Sequence, residues 1–275
     1  MEKDRIDVLV VKLGLATSRE EAKRFIMAGK IYSGTERVDK PGTKIPVDAE
    51  VVLKGEKSRY VGRGALKLEK ALDVFHVSMK DKVVIDVGAS TGGFTDCALQ
   101  SGASMVYSVD VGYNQLAWKL RQDPRVKVME RVNFRHADVA WFDPRPDIAV
   151  MDVSFISISK LLPKLKEVLL PGSSFIGLIK PQFEAGPDKV GKGGIVRDPV
   201  VHLEVLQRVV GSLTAEGFAV CGVIPSPIRG GDGNIEYLSW SILLQGKPLE
   251  FKQISEEDLA KQVLLAQQMD NSHKL

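Results

Sequence analysis

Val83-Val84-Ile85-Asp86-Val87-Gly88-Ala89-Ser90-Thr91-Gly92-Gly93-Phe94 runs an apolar stretch into a glycine-rich turn and then into a helical pattern. That is the opening of a βα unit, and the chain around it repeats the theme. Strands are expected over 83–87, 105–109, 126–130, 147–152, 174–180, 218–223 and 235–243. Helices are expected over 64–74, 93–101, 114–121, 158–169 and 199–216. Such alternation predicts an α/β domain with a Rossmann-like, seven-stranded, mostly parallel sheet covered on both faces. Ligands of open sheets bind beyond the carboxyl ends of the strands, where this turn falls.

The turn reads Gly-x-x-x-Gly-Gly. It is not the dinucleotide pattern Gly-x-Gly-x-x-Gly, and it lacks the Gly-Lys-Ser/Thr that grips phosphate. A nucleoside without phosphates, such as S-adenosylmethionine, fits it better. The candidate contacts are Asp86, Gly88, Ala89, Ser90, Thr91, Gly92, Gly93 and Phe94. The next strand ends at Asp110, an acid placed to accept hydrogen bonds from both ribose hydroxyls. Asn133 follows the third strand with Asp138 nearby, and either is a candidate for the adenine side.

A second constellation is dispersed. Asp152 ends the fourth strand and Lys180 the fifth, and charges at the ends of adjacent central strands are costly unless paired. Glu236 opens a late strand in Gly233-Asn234-Ile235-Glu236-Tyr237, and Lys67 lies on the helix that precedes the sheet. Two lysines and two acids converging there are the candidate catalytic group. Lys180 is the candidate for contacting a reacting oxygen, as a base or as a charged stabiliser. The glycine and lysine loop over 184–197 is a candidate lid.

The N-terminal stretch is a different object. Ile6, Leu9, Val10 and Leu13 share one face of a helix over 5–14 that stops at Gly14. Ser18-Arg19-Glu20-Glu21 is a capping box opening a second helix, which buries Ala22, Phe25 and Ile26 and ends at Gly29. Short extended pieces punctuated by Pro41-Gly42 and Pro46 follow, so residues 1–56 read as a small α+β domain. Lys12, Arg19, Lys23, Arg24 and Lys30 lie on its polar side. Residues 57–62 read as a linker, 63–246 as the sheet domain and 247–275 as a helical tail patterned on Leu259, Val263 and Leu264.

Bulk properties agree. Of 275 residues 44% are hydrophobic and 27% charged, a globular composition. The formal charge is +3, and residues 1–64 hold 14 basic against 10 acidic residues, a surplus that suits nucleic acid. Cys97 and Cys221 stand far apart, as in a reduced, cytoplasmic protein, and His76, His136, His202 and His273 form no ligand spacing, so no metal is expected. No apolar run is long enough to span a membrane.

The order of helix, capped helix, Ala28-Gly29-Lys30, turn and Val38-Asp39-Lys40-Pro41-Gly42 resembles the S4-like RNA-binding domain. Together with Arg63 to Leu68, Asp86 to Phe94, Asp152 to Ser157, Lys180 to Gly186, Gly193 to Pro199 and Gly233 to Tyr237, the whole chain resembles the TlyA family of ribosomal RNA 2′-O-methyltransferases, which shares the fold of the FtsJ/RrmJ-type enzymes. The resemblance implies a class I methyltransferase fold, S-adenosyl-L-methionine as cofactor, and ribosomal RNA or ribosomal subunits as partner. It implies methylation of a cytidine 2′-hydroxyl in 23S RNA, 16S RNA or both, by a tetrad of Lys67, Asp152, Lys180 and Glu236. Its S4-like part implies phosphate contacts from the second helix and following loop. A monomer is expected. The competing readings are a non-catalytic ribosome-associated factor, a hemolysin, as some relatives are labelled, and an NAD-linked oxidoreductase.

Overall fold

The computed structural model describes residues 2–54, 59–246 and 251–272. The first two residues of the expected linker, 57 and 58, lie outside them, as do 247–250 and 273–275 of the expected tail. The chain divides into two compact units, Met1–Arg59 and Tyr60–Leu275.

The first unit comprises β1 (Lys3–Arg5), α1 (Ile6–Lys12), α2 (Arg19–Met27), β2 (Ile31–Ser33), β3 (Glu36–Arg37), β4 (Lys44–Pro46) and β5 (Val51–Leu53). β1 pairs with β4, and β3, β2 and β5 form a second small sheet. Ile6, Leu9, Val10, Ala22 and Ile26 fill its core, while Leu13, expected inside, is 52% exposed because α1 ends at Lys12. Ser18 caps α2 by accepting the Glu21 amide at 3.1 Å. The Glu21 carboxylate takes the amide and hydroxyl of Thr17, both at 2.7 Å.

The second unit runs α3 (Ala65–Phe75), β6 (Val83–Val87), α4 (Gly93–Gln100), β7 (Met105–Val109), α5 (Trp118–Arg121), β8 (Val126–Met129), β9 (Ile148–Met151), α6 (Leu162–Val168), β10 (Ser174–Ile179), α7 (Pro181–Glu184), α8 (Pro199–Ala215), β11 (Phe218–Pro225), β12 (Tyr237–Leu243) and α9 (Glu256–Ser272). These strands make one sheet in the order β11-β12-β10-β9-β6-β7-β8, with β12 antiparallel to both neighbours and the other pairings parallel. Strand alternation feeds two cores. Ile85, Val87, Ala149, Met151 and Phe175 join one, capped by α6, α8 and α9; Val84, Ile148, Val150 and Ile176 join the other, with residues of α3 and α4. Tyr60 and Val61 belong to this packing: the Tyr60 hydroxyl donates to Glu69 at 3.0 Å and the Val61 amide to Asp96 at 2.8 Å.

Two features of this order place the site. β6 is flanked by β7 on one side and β9 on the other, so the chain reverses its direction of travel between β6 and β9, and a crevice opens at their carboxyl ends. The reversal of β12 brings its first residues to that same edge, where Tyr237 pairs with Ile179.

Candidate active site

The turn after β6 is built for close packing. Gly88 has φ +85°, and a Cβ there would stand 2.5 Å from the Asp152 carbonyl oxygen. Gly92 has φ +93°, and a Cβ would strike Leu120 at 2.2 Å. Side chains are therefore excluded by the protein's own backbone and core, which draw the turn down onto the end of β9. The Asp152 amide donates to Val87 O at 3.1 Å and locks the two strand ends together.

Around this junction lies a cleft of about 330 Å³. Gly88, Ala89, Ser90, Thr91, Gly93 and Phe94 line one wall, and Arg63, Gly64, Lys67, Asp152, Ser154, Lys180, Ile228, Arg229 and Gly231 line the rest. The four charged residues expected to converge do so. Lys67, in the first turn of α3, places Nζ 2.7 Å from Glu236 Oε2 and 3.7 Å from Asp152 Oδ2. Lys180 Nζ sits 2.6 Å from Asp152 Oδ1, off the direction of an aligned hydrogen bond, and donates to Ser154 Oγ at 2.9 Å. Lys67, Lys180 and Glu236 are buried, while the Asp152 side chain keeps 21% of its surface open. Two ammonium groups and two carboxylates thus form one charge-balanced chain, the condition under which such burial is tolerable.

Two members of this network carry no charge that would have singled them out. Ser154 anchors Lys180, and Gln182 donates to Glu236 Oε1 at 3.3 Å. Both lie within two residues of a tetrad member, Ser154 on the turn after β9 and Gln182 in α7 just after β10, which was the available signal.

The remaining candidates divide. Asp110 sits at the end of β7, but its carboxylate accepts the amides of Ser90 at 2.7 Å and Gly112 at 2.6 Å, and so ties the glycine turn to the neighbouring loop. Each oxygen retains a second lone pair for a ligand hydroxyl. Asp86 is fully buried; Oδ2 accepts from the Thr95 hydroxyl at 2.7 Å and Oδ1 has no partner among the described residues. Burial, helped by the charge of Asp152 nearby, pushes its carboxyl up to about 7. Asn133 is exposed and caps a 3-10 turn by accepting the Arg135 amide at 3.2 Å, and Asp138 caps the next turn by accepting the Ala140 amide at 2.9 Å. Neither lines the cleft.

In the first unit, Lys12 pairs with Asp4 and Arg19 with Asp7, both at 2.8 Å. The Arg5 guanidinium, with Arg19, holds the buried Asp7 down at about 2. Arg24 is exposed and Lys23 and Lys30 are half-buried. No group of metal-ligating side chains occurs among the described residues, and none of their helices is long and apolar enough to cross a membrane.

A sheet of this order, with a glycine turn at its reversal point, an acid ending the next strand and no phosphate-gripping lysine in the turn, defines an S-adenosylmethionine-dependent methyltransferase. S-adenosylmethionine suits the cleft, whose glycine wall meets the charged group on the opposite side. Residues 60–242 match the FtsJ-like methyltransferase family and residues 4–51 the S4 domain. A Bacillus subtilis (strain 168) protein provisionally named rRNA methyltransferase YqxC is 57% identical, covering 95% of this chain and 93% of that one. The 16S/23S rRNA (cytidine-2′-O)-methyltransferase TlyA of Mycobacterium tuberculosis (strain CDC 1551 / Oshkosh) is 40% identical over 86% of this chain and 88% of that one. A solved structure from Streptococcus thermophilus, provisionally called a hemolysin, matches with TM-score 0.78 and 48% identity over 100% of this chain and 99% of that one. The chain belongs to the FtsJ-like methyltransferase family, in its TlyA branch.

Proposed function

We propose that this protein methylates a ribose 2′-hydroxyl of ribosomal RNA, on a cytidine of the small or the large subunit, the activity named for its TlyA relative. The observation that carries this reading is the Glu236–Lys67–Asp152–Lys180 chain, whose Lys67, Asp152 and Lys180 line one cleft with the glycine turn. When bound, S-adenosylmethionine supplies a methyl group on a positively charged sulfur. A sugar hydroxyl is a weak nucleophile, so as its oxygen takes the methyl and its proton passes to solvent water, the protein must offset the charge that grows on that oxygen. Lys180 is the group that touches this oxygen, with Asp152 and Ser154 fixing its ammonium in place. Lys67, itself held by Glu236, shares Asp152 and keeps that carboxylate from turning away. Gln182 fixes Glu236 in turn. Charge stabilisation of this kind contributes on the order of 10²–10³-fold per donor, and alignment of oxygen, methyl and sulfur contributes further.

The division of labour follows the two units. Residues 1–56 bind RNA, with Lys23, Arg24 and Lys30 as phosphate contacts and Lys12 and Arg19 adding charge once their acidic partners yield. Residues 63–246 carry the chemistry, and 247–275 form a tail whose helix α9 packs on α8 and β11.

The test uses the full chain with methyl-labelled S-adenosylmethionine and ribosomal subunits or free ribosomal RNA. Label enters RNA with the wild type and not with Lys180→Ala, while S-adenosylhomocysteine binds both alike. Label that never enters RNA sinks the reading, and unchanged turnover by Lys180→Ala removes Lys180 from its role.

A further inference from the structure

The four charges of the tetrad cancel, and two further basic residues line the cleft, Arg63 and Arg229. Arg229 belongs to the segment between β11 and β12, outside every motif that pointed to methyl transfer. It is held unlike an ordinary surface arginine. One terminal nitrogen donates to Gly233 O, and the other pairs with the carboxylate of Asp270, near the end of α9. The Asp270 side chain is 14% exposed, and that of Arg229 keeps 37% of its surface open.

The placement of Asp270 is written in the period of α9. Leu259, Val263 and Ala266 are the buried anchors of this helix, and Asp270 follows at the next step of the same stripe. A position of that phase ordinarily carries an apolar residue. Here it delivers a carboxylate into a second cavity of about 210 Å³, bordered also by Ile228, Arg229 and Glu236. Arg229 therefore borders both spaces, with its anchor in one and the reaction cleft in the other.

We infer that Arg229, aimed by Asp270, binds the phosphodiester beside the methylated ribose. This rests on the RNA methyltransferase reading above. The chemistry of the acceptor requires such a group: in RNA the carbon next to the one bearing the 2′-hydroxyl carries a phosphodiester through its oxygen, so any ribose that reaches Lys180 brings an anion into the same cleft. A guanidinium has five N–H donors in a planar fork. Gly233 and Asp270 engage two nitrogens, fix the plane and leave donors for phosphate oxygens, for which a bidentate fork is the fitting geometry. Arg229 is thus a substrate-binding residue, and Asp270 a positioning residue acting through it.

The experiment measures binding of a fluorescein-labelled single-stranded ribosomal RNA fragment to the full chain across a salt titration. Beside it run S-adenosylhomocysteine calorimetry, thermal melting and methyl transfer to ribosomal subunits. Arg229→Gln is expected to weaken RNA binding about tenfold and to lower the slope of log Kd against log salt by about one contact, roughly 0.7 for single strands. S-adenosylhomocysteine affinity stays as in the wild type. Arg229→Lys keeps the slope and recovers part of the affinity, and Asp270→Asn keeps the slope while raising KM for RNA. Arg229→Gln with wild-type RNA affinity and slope overturns the inference, as does a loss confined to melting temperature, which would make the pair a latch for α9. In either case, wild-type methyl transfer to RNA leaves the methyltransferase reading standing; its absence sinks that reading separately.

Discussion

Replacing Lys67 by Met, Glu236 by Leu, and then both, separates a working ion pair from two buried charges that merely lie close. The pair is 2.7 Å apart, with side-chain exposures of 8% and 2%. Lys67→Met leaves the Glu236 carboxylate in the interior with the Gln182 amide at 3.3 Å, and Glu236→Leu leaves the Lys67 ammonium with Asp152 at 3.7 Å. Orphaning one partner of a buried pair costs about 3–5 kcal/mol. A unit of this size loses roughly 2–4 °C of Tm per kcal/mol, so each single variant melts roughly 6–20 °C lower. The double variant removes both desolvation costs and replaces them with apolar bulk, so it destabilises less than either single change. Urea unfolding followed by tryptophan fluorescence reads this directly, because Trp118, Trp141 and Trp240 all lie in the second unit. All three variants lose methyl transfer. A double variant whose loss equals the sum of the two single losses refutes the reasoning, since it shows that the two groups do not depend on each other.

Gly88→Ala puts a methyl 2.5 Å from the Asp152 carbonyl oxygen at φ +85°, and the left-handed backbone alone costs about 1–3 kcal/mol; calorimetry should show S-adenosylhomocysteine binding lost in a protein that still folds. Asp86 has its folded carboxyl raised to about 7 from an ordinary 3.8, so its contribution to stability is full below about 3.8 and is lost as pH rises through 7. Asp86→Asn therefore gains on the wild type across that window, and parallel melting curves from pH 4 to 7 contradict this. Glu130 is opposite in sign: the Arg121 guanidinium, with the amides of Asn114, Leu116 and Gln115, holds it down at about 2 from an ordinary 4.5. Its contribution is present above about 4.5 and is lost as pH falls toward 2, and Glu130→Gln should flatten that acid limb of the melting profile.

The strands were legible because burial on both faces writes them as apolar runs: 83–87 and 105–109 appear with the expected ends. The helix expected over 114–121 shrinks to Trp118–Arg121, because the Glu130 carboxylate takes the amides of Asn114, Gln115 and Leu116 that an earlier helical turn would present. That competition is a tertiary contact across the chain and leaves no local signal. The segment over 158–169 likewise breaks into a 3-10 turn capped by Ser157 and a helix starting at Leu162. Leu264 has the composition of a core residue but the wrong phase; Ala266 takes the buried place and Leu264 stays 62% exposed. In the site, charge made the tetrad visible, since four ionisable groups at strand ends need one another. Ser154, Gln182 and Arg229 were not visible: the first two are polar residues that many turns carry, and the third is defined by a partner on a distant helix. Asn133 fits a ligand contact and a cap equally well by type, and the structure uses it as a cap.

Methyl transfer to the sugar itself is decided by the chemical position of the label. RNA methylated with labelled S-adenosylmethionine and hydrolysed in alkali should carry the label in dinucleotides whose linkage resists cleavage, because a blocked 2′-oxygen cannot attack the adjoining phosphate. Label recovered in ordinary mononucleotides, on the base, would contradict a reaction centred on Lys180 and a ribose oxygen.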